Sequence, residues 1–188
     1  MMVADEQRYR LGRRESTEAR LTLLPVACSA EEELKALAED LAPAGIDTAL
    51  AQCHDIDPAA YTKSRLQYRA EALLEQACQA VAGRVLVITD ADLYAPGLNF
   101  VFGMADRPGR AAVVSLHRLR LEADAALLRE RLLKEALHEI GHMFGLAHCF
   151  DPHCVMSFSD SLSDADHKSH RFCRACQAKF TTRLRERP

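Results

Sequence analysis

Residues 138–148 read H-E-I-G-H-M-F-G-L-A-H, and this stretch decides the kind of fold that the chain needs. Residues four apart in an α-helix lie on one face, so His138 and His142 can offer two imidazole nitrogens to a single metal ion. Glu139 lies beside the first of these histidines, where its carboxylate can deprotonate a zinc-bound water without being a ligand itself. The spacing therefore predicts a helix that carries two zinc ligands and a general base.

The residues after this helix supply a third ligand. Gly145 allows the backbone to turn through positive φ, so the helix can end and the chain can present His148 to the same ion. A single H-E-x-x-H also occurs by chance on the solvated face of an amphipathic helix. The glycine and the third histidine favour a catalytic site, because three protein ligands leave the fourth tetrahedral position to water.

Four cysteines and a methionine follow the last histidine. Cys149, Cys154 and Met156 form H-C-x4-C-x-M, and Cys173 and Cys176 form C-x-x-C. Together with the histidine motif, this pattern resembles the archaemetzincins, a family of the metzincin zinc peptidases. Met156 and Cys173 are separated by 16 residues, one fewer than in the family pattern, and a loop absorbs a one-residue change easily.

The resemblance implies a fold and two metal sites. The fold is a metzincin-like single α/β domain over residues 1–188, in which a mixed twisted sheet with an antiparallel edge strand packs on a backing helix and an active-site helix. The implied catalytic zinc ligands are His138, His142 and His148. A second zinc is implied in a C-terminal segment, residues 149–176, by Cys149, Cys154, Cys173 and Cys176. Four thiolates leave no open position, so this second zinc is expected to be structural.

The resemblance also assigns supporting roles after the third histidine. Met156 occupies the place of the methionine turn, and we expect its thioether to form an apolar floor under the histidines. Phe158 stands where some metzincin families carry a tyrosine, so a side chain that stabilises the oxyanion must come from elsewhere. Asn99–Ala105 lies in the order that these families give to the edge strand that binds extended peptide.

The expected chemistry is hydrolysis of a peptide bond. Three neutral imidazoles leave the zinc its full 2+ charge, which lowers the pKa of a bound water towards ~7. Glu139 can then take the proton from that water and pass it to the leaving amine. The predicted substrate is a peptide or protein, and the endopeptidase and exopeptidase modes, including aminopeptidase action, both stay open.

Composition narrows the class of protein. A length of 188 residues suits one domain with a substantial core. The net charge of −3 disfavours nucleic acid and anionic membranes as partners. The N-terminal residues 1–18 are polar, lack the apolar stretch of a secretion signal, and are expected to form a flexible arm or a strand lead-in. We expect a cytoplasmic monomer.

The seven cysteines are better explained by metal than by disulfides in a reducing compartment. Cys28, Cys53 and Cys78 lie singly along the chain, and we expect them to be small buried hydrophobic residues.

The pattern upstream of the site predicts alternating strands and helices. We expect strands at 21–27, 46–56 and 84–90, a helix from an N-cap at Ser29 to Leu41, and a backing helix over 61–82. Pro25 confines the first strand to an edge or to a position where the missing N–H does no harm. Two short strands around the turn at Pro108 and Gly109 predict an antiparallel element at the sheet edge.

The site helix is expected over residues 122–144. Leu128, Leu132 and Ile140 belong to its apolar stripe, which should anchor the helix by burial. Its first turns should meet solvent through Arg129, Glu130, Arg131 and Lys134.

Two other classes of function remain open. The first is a zinc-binding protein with a weak or vestigial peptidase site that holds peptides or partners, although the presence of Glu139 counts against it. The second is a zinc-ribbon-like interaction or nucleic-acid module whose function lies in the cysteines. The near-neutral charge and the lack of an aromatic-basic patch argue against this second class.

Overall fold

The computed structural model describes residues 19–186, and its strands form two sheets. In chain order the strands are β1 (Ala19–Val26), β2 (Ile46–Leu50), β3 (Tyr61–Thr62), β4 (Gln67–Arg69), β5 (Arg84–Thr89), β6 (Leu93–Tyr94), β7 (Gly103–Ala105) and β8 (Ala111–Ser115). The helices are α1 (Glu31–Leu41), α2 (Ala70–Ala80), α3 (Leu116–Leu119), α4 (Ala125–Met143), α5 (Leu162–His167) and α6 (Arg174–Arg185). The predicted N-terminal arm, residues 1–18, lies outside the described residues.

The larger sheet has the order β2-β1-β5-β8-β7. Its first four strands are parallel, and β7 pairs antiparallel with β8 through Met104 and Val113. The smaller sheet has the order β3-β4-β6. The predicted mixed sheet with an antiparallel edge strand is therefore confirmed.

Alternation along the strands divides the apolar side chains between two cores. Leu23 and Leu86 pack on one face of the sheet with α1 and α4. Leu24 and Val87 point to the other face, where α2 covers them. Successive side chains of a strand point to opposite faces, so each strand of this buried sheet contributes to both cores. The predicted backing helix is α2, and the predicted site helix is α4.

Four of the predicted element boundaries are wrong. The site helix begins at Ala125 instead of residue 122. The backing helix begins at Ala70, because residues 61–69 form β3, a turn and β4. The second strand ends at Leu50. Ser29 does not cap α1, whose N-cap is Ala30. The backbone N–H and the hydroxyl of Ser29 instead donate to the carboxylate of Asp90, 61 residues away.

Pro25 lies near the end of β1, the first strand. β1 lies between β2 and β5, so Pro25 is not on an edge strand. Its carbonyl still accepts a hydrogen bond from the His54 N–H at 3.0 Å. The second of the two expected environments, a position where the missing N–H does no harm, is the one observed.

The solvent-facing side of the site helix was predicted only in part. Arg129 and Glu130 are exposed, but Arg131 and Lys134 are buried. Their cationic groups bond to Asp166, in the segment that precedes the second pair of cysteines. Cys53 is also exposed, contrary to expectation, whereas Cys28 and Cys78 are half-buried.

The C-terminal part of the described chain packs against the site helix. α6 buries Phe180, whose ring stacks on Phe172 at 4.7 Å and meets the edge of Phe144 at 5.3 Å. This packing connects the end of α4 to the segment that carries the cysteines. Within residues 19–186, none of the helices is both long enough and apolar enough to cross a membrane.

Candidate metal centres

The helix α4 places three of the predicted site residues. Its N-terminus is capped by Asp124, whose carboxylate accepts a hydrogen bond from the Leu127 N–H at 2.8 Å. It ends at Met143, and Gly145 follows with a φ of 84° and donates its N–H to the His142 carbonyl at 2.8 Å. The cap fixes the start of the helix, and the glycine lets the chain turn back towards the histidines.

The side chains of His138, His142 and His148 converge at the end of this helix. One ring nitrogen from each lies within 4.8 Å of the others, and the Nε2 atoms of His138 and His142 are 3.0 Å apart. The Nδ1 atoms of these two histidines lie 2.8 Å from the carbonyl oxygens of Val155 and Leu146. A carbonyl can only accept, so each Nδ1 carries the proton and each Nε2 keeps its lone pair.

Burial keeps these histidines neutral. It lowers the pKa of His138 well below its ordinary range, and the Lys168 cation adds to that effect. Burial also lowers the pKa of His142 from 6.5 to about 4 and lowers the pKa of the more exposed His148. Neutral imidazoles whose lone pairs converge are the donors that a divalent zinc ion accepts, so the three residues fit this metal.

The carboxyl group of Glu139 lies beneath the edge strand β7. The side chain is buried, and a Cβ placed on Gly103 would lie 2.7 Å from its Cγ and from its Oε1. Burial raises the pKa of Glu139 well above its ordinary range; the nearby Glu135 carboxylate adds to the rise, and the Lys168 cation opposes it. Gly103 therefore provides the space for the acid that we expect to be the general base.

The four predicted cysteine ligands form a second group. The Sγ atoms of Cys149, Cys154, Cys173 and Cys176 all lie within 4.8 Å of one another. The Cys173 N–H donates to Cys154 Sγ at 3.2 Å. A hydrogen bond from the Cys176 N–H lowers the pKa of Cys173 to about 7. Backbone donors that stabilise a thiolate are suited to a metal site with four sulfur ligands.

The two groups meet at adjacent residues. His148 belongs to the histidine group and Cys149 to the cysteine group. The Cys149 N–H donates to the Met156 carbonyl at 2.9 Å, which closes the turn after the last histidine. Met156 is fully buried, and its sulfur packs against α4 where Gly141 has no side chain. The role of this methionine as an apolar floor under the histidines stays a prediction.

The histidine group opens into a cleft of ≈ 510 Å³. One wall consists of residues 98–105, which end in β7, and the opposite wall includes Phe158–Asp160. The floor is the face of α4 that carries the histidines and Glu139, and two further charged residues, Glu135 and Lys168, also line the cleft. Sequence reasoning missed these two residues and Gly103. The helical spacing of four between Glu135 and Glu139 was a visible signal, but nothing local pointed to Lys168.

The structure brings together all seven predicted ligands in the two expected groups. Gly145 has positive φ after the end of α4, and Met156 is buried against Gly141. That the two groups bind metal, and that Glu139 acts as the base, stays a prediction at this point.

The chain matches the family model described as Peptidase family M54 over residues 47–182. The archaemetzincin of Methanopyrus kandleri is 57% identical over 119 residues, which span 62% of this chain and 67% of that protein. The archaemetzincin of Aeropyrum pernix is 40% identical over 146 residues, which span 73% of this chain and 79% of that protein.

Solved structures share the fold over most of the chain. The crystal structure of the Methanopyrus kandleri archaemetzincin superposes with a TM-score of 0.83 and 41% identity, covering 92% of this chain and 98% of that one. The structure of the Archaeoglobus fulgidus archaemetzincin in complex with malonate gives a TM-score of 0.78 and 37% identity, covering 85% and 99% of the two chains.

Proposed function

The chain belongs to peptidase family M54, the archaemetzincins, and is a zinc-dependent peptidase; we propose that Glu139 is its general base. The observation that carries this proposal is the position of Glu139, which follows His138 in sequence, lines the same cleft as the three histidines and is not a member of the histidine group. Its substrates are peptides or proteins, as the family implies.

We assign the metals to the two groups of ligands. His138, His142 and His148 would hold the catalytic zinc, and the four cysteines would hold a structural zinc, giving two ions per chain. When bound, the catalytic zinc supplies a Lewis acid that makes water more acidic and polarises the substrate carbonyl. All seven cysteines are free thiols, which supports metal binding over disulfides for the four that cluster.

Glu139 would move one proton twice. Its carboxylate takes the proton from the attacking water and then delivers it to the nitrogen of the leaving amine, so that no covalent enzyme intermediate forms. The high pKa that burial gives this acid favours delivery of the proton in the second step. The Lys168 cation acts in the opposite direction and favours the carboxylate that the first step needs.

The edge strand β7 would bind the substrate backbone. Among the described strands it pairs only with β8, so its other edge faces the cleft with free backbone groups. An extended peptide can add to such an edge through main-chain hydrogen bonds. This arrangement would place the scissile bond beside the histidines.

The test compares the parent protein with Glu139→Gln on a mixed-sequence peptide pool. Glutamine keeps the size and most hydrogen bonds but removes the basic carboxylate, so zinc content and melting temperature should stay nearly unchanged. Turnover should fall by at least ~10²–10⁴-fold. Glu130→Gln makes the same chemical change on the exposed side of α4 and should leave turnover unaffected.

Two outcomes would contradict the proposal. Equal cleavage by parent and Glu139→Gln would indicate a contaminating protease. No cleavage by either protein across a broad pool would favour the alternative, a weak or inactive zinc-binding protein that holds peptides or partners. A cytoplasmic location and a monomeric state stay predictions.

A further inference from the structure

The cleft contains a cation that has no acidic partner. Arg107 comes two residues after β7 and lines the cleft together with the three histidines. The residue is exposed, and none of the ion pairs within residues 19–186 involves it. An accessible, unpaired guanidinium can donate several hydrogen bonds to an anionic group of a bound molecule.

The other charged residues of the cleft are not free in this way. Glu135 and Lys168 are buried and lie 2.8 Å from each other, so each neutralises the other. Glu139 is buried under β7. Asp160 is exposed on the opposite wall and forms no ion pair with Arg107. Of the Lys and Arg side chains that line the cleft, Arg107 is therefore the one that a substrate can reach.

The two cations of the cleft lie near different histidines. Burial is the main cause of the low pKa of His138, and among the nearby charges Lys168 lowers that pKa most. Burial is also the main cause for His142 and His148, but there Arg107 lowers the pKa more than Lys168 does. Coulomb energies fall with distance, so Lys168 lies on the His138 side of the group and Arg107 on the side of the other two histidines.

The edge strand gives the same order along the cleft. Gly103, the first residue of β7, lies against Glu139, because a Cβ on this glycine would be 2.7 Å from the Glu139 Cγ. Arg107 is four residues further along the chain, which corresponds to about 13 Å of extended backbone. The proposed base and Arg107 are thus separated along the direction in which an extended substrate would lie.

The role of Glu139 indicates which part of the substrate faces Arg107. Glu139 would deliver its proton to the leaving amine, so the amine fragment lies on the Glu139 side of the reaction centre. The fragment that keeps the carbonyl carbon then extends past His142 and His148 towards Arg107. Antiparallel addition to β7, the more stable kind of strand pairing, gives the same direction, because it places the N-terminal part of the peptide beside the C-terminal end of the strand.

The charge of Arg107 selects the type of group that binds there. The C-terminal carboxylate of a substrate belongs to the amine fragment, so an anion on this side of the cleaved bond must be a side chain. A carboxylate side chain can accept two parallel hydrogen bonds from the guanidinium of Arg107. A lysine side chain at the same place would be repelled.

Resting on the proposed peptidase activity, we propose that Arg107 is a specificity-determining residue that binds an Asp or Glu side chain located one to three residues before the cleaved bond. This range follows from the four residues between Gly103 and Arg107, since an extended substrate advances by the same distance per residue as the edge strand. The ion pair would be open to solvent, so the preference should be moderate and should weaken as salt is added.

The test uses peptides that share one cleavable bond and carry Glu, Gln or Lys at a single position. The first, second and third residues on each side of the bond are varied in turn. At one of the three positions before the bond, the parent should cleave the Glu peptide with a kcat/KM about 3–10-fold above that of the Gln peptide, and the Lys peptide should be the poorest. The ratio of Glu to Gln should fall towards one in 1 M salt. Equal rates at all three positions, or a Glu preference found only after the bond, overturn the inference.

Two variants of Arg107 separate selection from structural support. Arg107→Gln should abolish the preference for Glu, and Arg107→Glu should reverse it, so that the Lys peptide becomes the best substrate. Arg185→Gln is the matched control, because it removes an exposed arginine of α6 that does not line the cleft, and it should keep the parent's preference. An Arg107→Glu protein that still prefers Glu, or that loses rate equally on all three peptides, contradicts the proposed contact.

A binding measurement distinguishes this inference from the proposed function. Zinc-loaded Glu139→Gln is titrated with the Glu, Gln and Lys peptides, and the Glu peptide should bind most tightly. Addition of Arg107→Gln to this protein should remove the ranking. If the parent cleaves nothing but the ranking and its loss are found, the peptidase proposal fails and the subsite survives. Equal binding of the three peptides, or binding of none, overturns the subsite.

Discussion

Two backbone carbonyls decide which nitrogen each histidine of α4 can offer to a metal. Val155 and Leu146 accept the Nδ1 protons of His138 and His142, so both Nε2 atoms point into the site as acceptors. The residues that supply these carbonyls come after the helix. The folding of the turn therefore sets the protonation of the ligands before any metal binds.

The burial of neutral His142 should make the metal-free protein sensitive to acid. Its pKa is about 4 in the folded protein and 6.5 in the unfolded chain, so between these values the unfolded chain binds more protons. Stability from this group is complete above pH 6.5 and is lost as the pH falls towards 4, by about 1–3 kcal/mol. Urea unfolding of chelator-treated protein at pH 7 and pH 4.5 measures the loss.

The matched variant for this measurement is His142→Gln, which cannot titrate. The raised pKa of Glu139 has the opposite sign, since its contribution falls as the pH rises above the value in the unfolded chain. Both proteins keep Glu139, so the difference between their pH dependences isolates His142. Identical pH dependences would show that His142 is not buried in its neutral form.

Gly103 should be as important for turnover as a residue that contacts the substrate. A methyl group at this position would lie 2.7 Å from Glu139 Oε1 and 2.8 Å from the Val113 carbonyl oxygen. Gly103→Ala should therefore displace the base and lower kcat/KM by about 10–100-fold, with zinc content unchanged. Adding it to Glu139→Gln should cost little more, because both changes act on the same group. Additive losses would show that Gly103 acts through the substrate instead.

At the scale of elements, the two halves of α4 have different roles. Its C-terminal half carries two of the proposed zinc ligands and Glu139, and its N-terminal half holds α5 through the bonds of Arg131 and Lys134 to Asp166. Helix α6 begins at the second pair of cysteines and packs Phe180 under the end of α4. A zinc held by the four cysteines would fasten these elements together.

Removal of one thiolate should therefore weaken the attachment of α6. Cys173→Ser takes one ligand from a closed set, so the protein should bind one zinc ion fewer and lose more than about 2 kcal/mol of unfolding free energy. The ion is counted by metal analysis, and the stability is measured by urea unfolding. Cys78→Ser is the matched control, because Cys78 is half-buried and belongs to neither ligand group. A Cys173→Ser protein that melts like the parent with two zinc ions would exclude these cysteines as ligands.

At the scale of the whole molecule, the two proposed metal sites share one turn of chain and differ in exposure. His148 in one group is exposed, while Cys154 and Cys176 in the other are buried. An open set of three ligands exchanges its metal more readily than a closed set of four thiolates. Stability and activity should therefore respond separately to metal removal.

We expect a chelator to remove the two zinc ions in order. The histidine site should empty first, with loss of turnover and little loss of structure, and the cysteine site should empty only as the protein unfolds. Zinc content, peptide cleavage and circular dichroism are followed together during the titration. Metal analysis that finds a single zinc ion in fully loaded protein would contradict the two-site assignment.

The sequence by itself determined the features that depend on short distances along the chain. The H-E-x-x-H spacing works because four residues bring two side chains to one face of any helix, and Gly145 ends that helix for a local reason. Four successive aliphatic residues identified β5 as a strand buried on both faces. The cysteine spacing then indicated the family, whose membership the comparisons show.

Only the tertiary structure decided which polar residues are buried and what they contact. Ser29 resembles a helix cap in the sequence, yet Asp90 competes for its donors from 61 residues away. Residues 61–69 were predicted to be helical but form two short paired strands joined by a turn, because tertiary pairing outweighs a weak local preference.

The burial of the charged residues on the site helix also depends on the tertiary structure. In the sequence, Arg131 and Lys134 have the pattern of a solvated helix face, but the fold places Asp166 against them. Glu135 lies in the wall of the cleft, where it pairs with Lys168 from the segment after α5. The energy of burying a charge depends on the partner that the fold brings to it, and that partner is not encoded within one helical turn. Local spacing therefore determined which residues are candidate zinc ligands, and long-range packing determined the surroundings of the proposed base and the walls of the cleft.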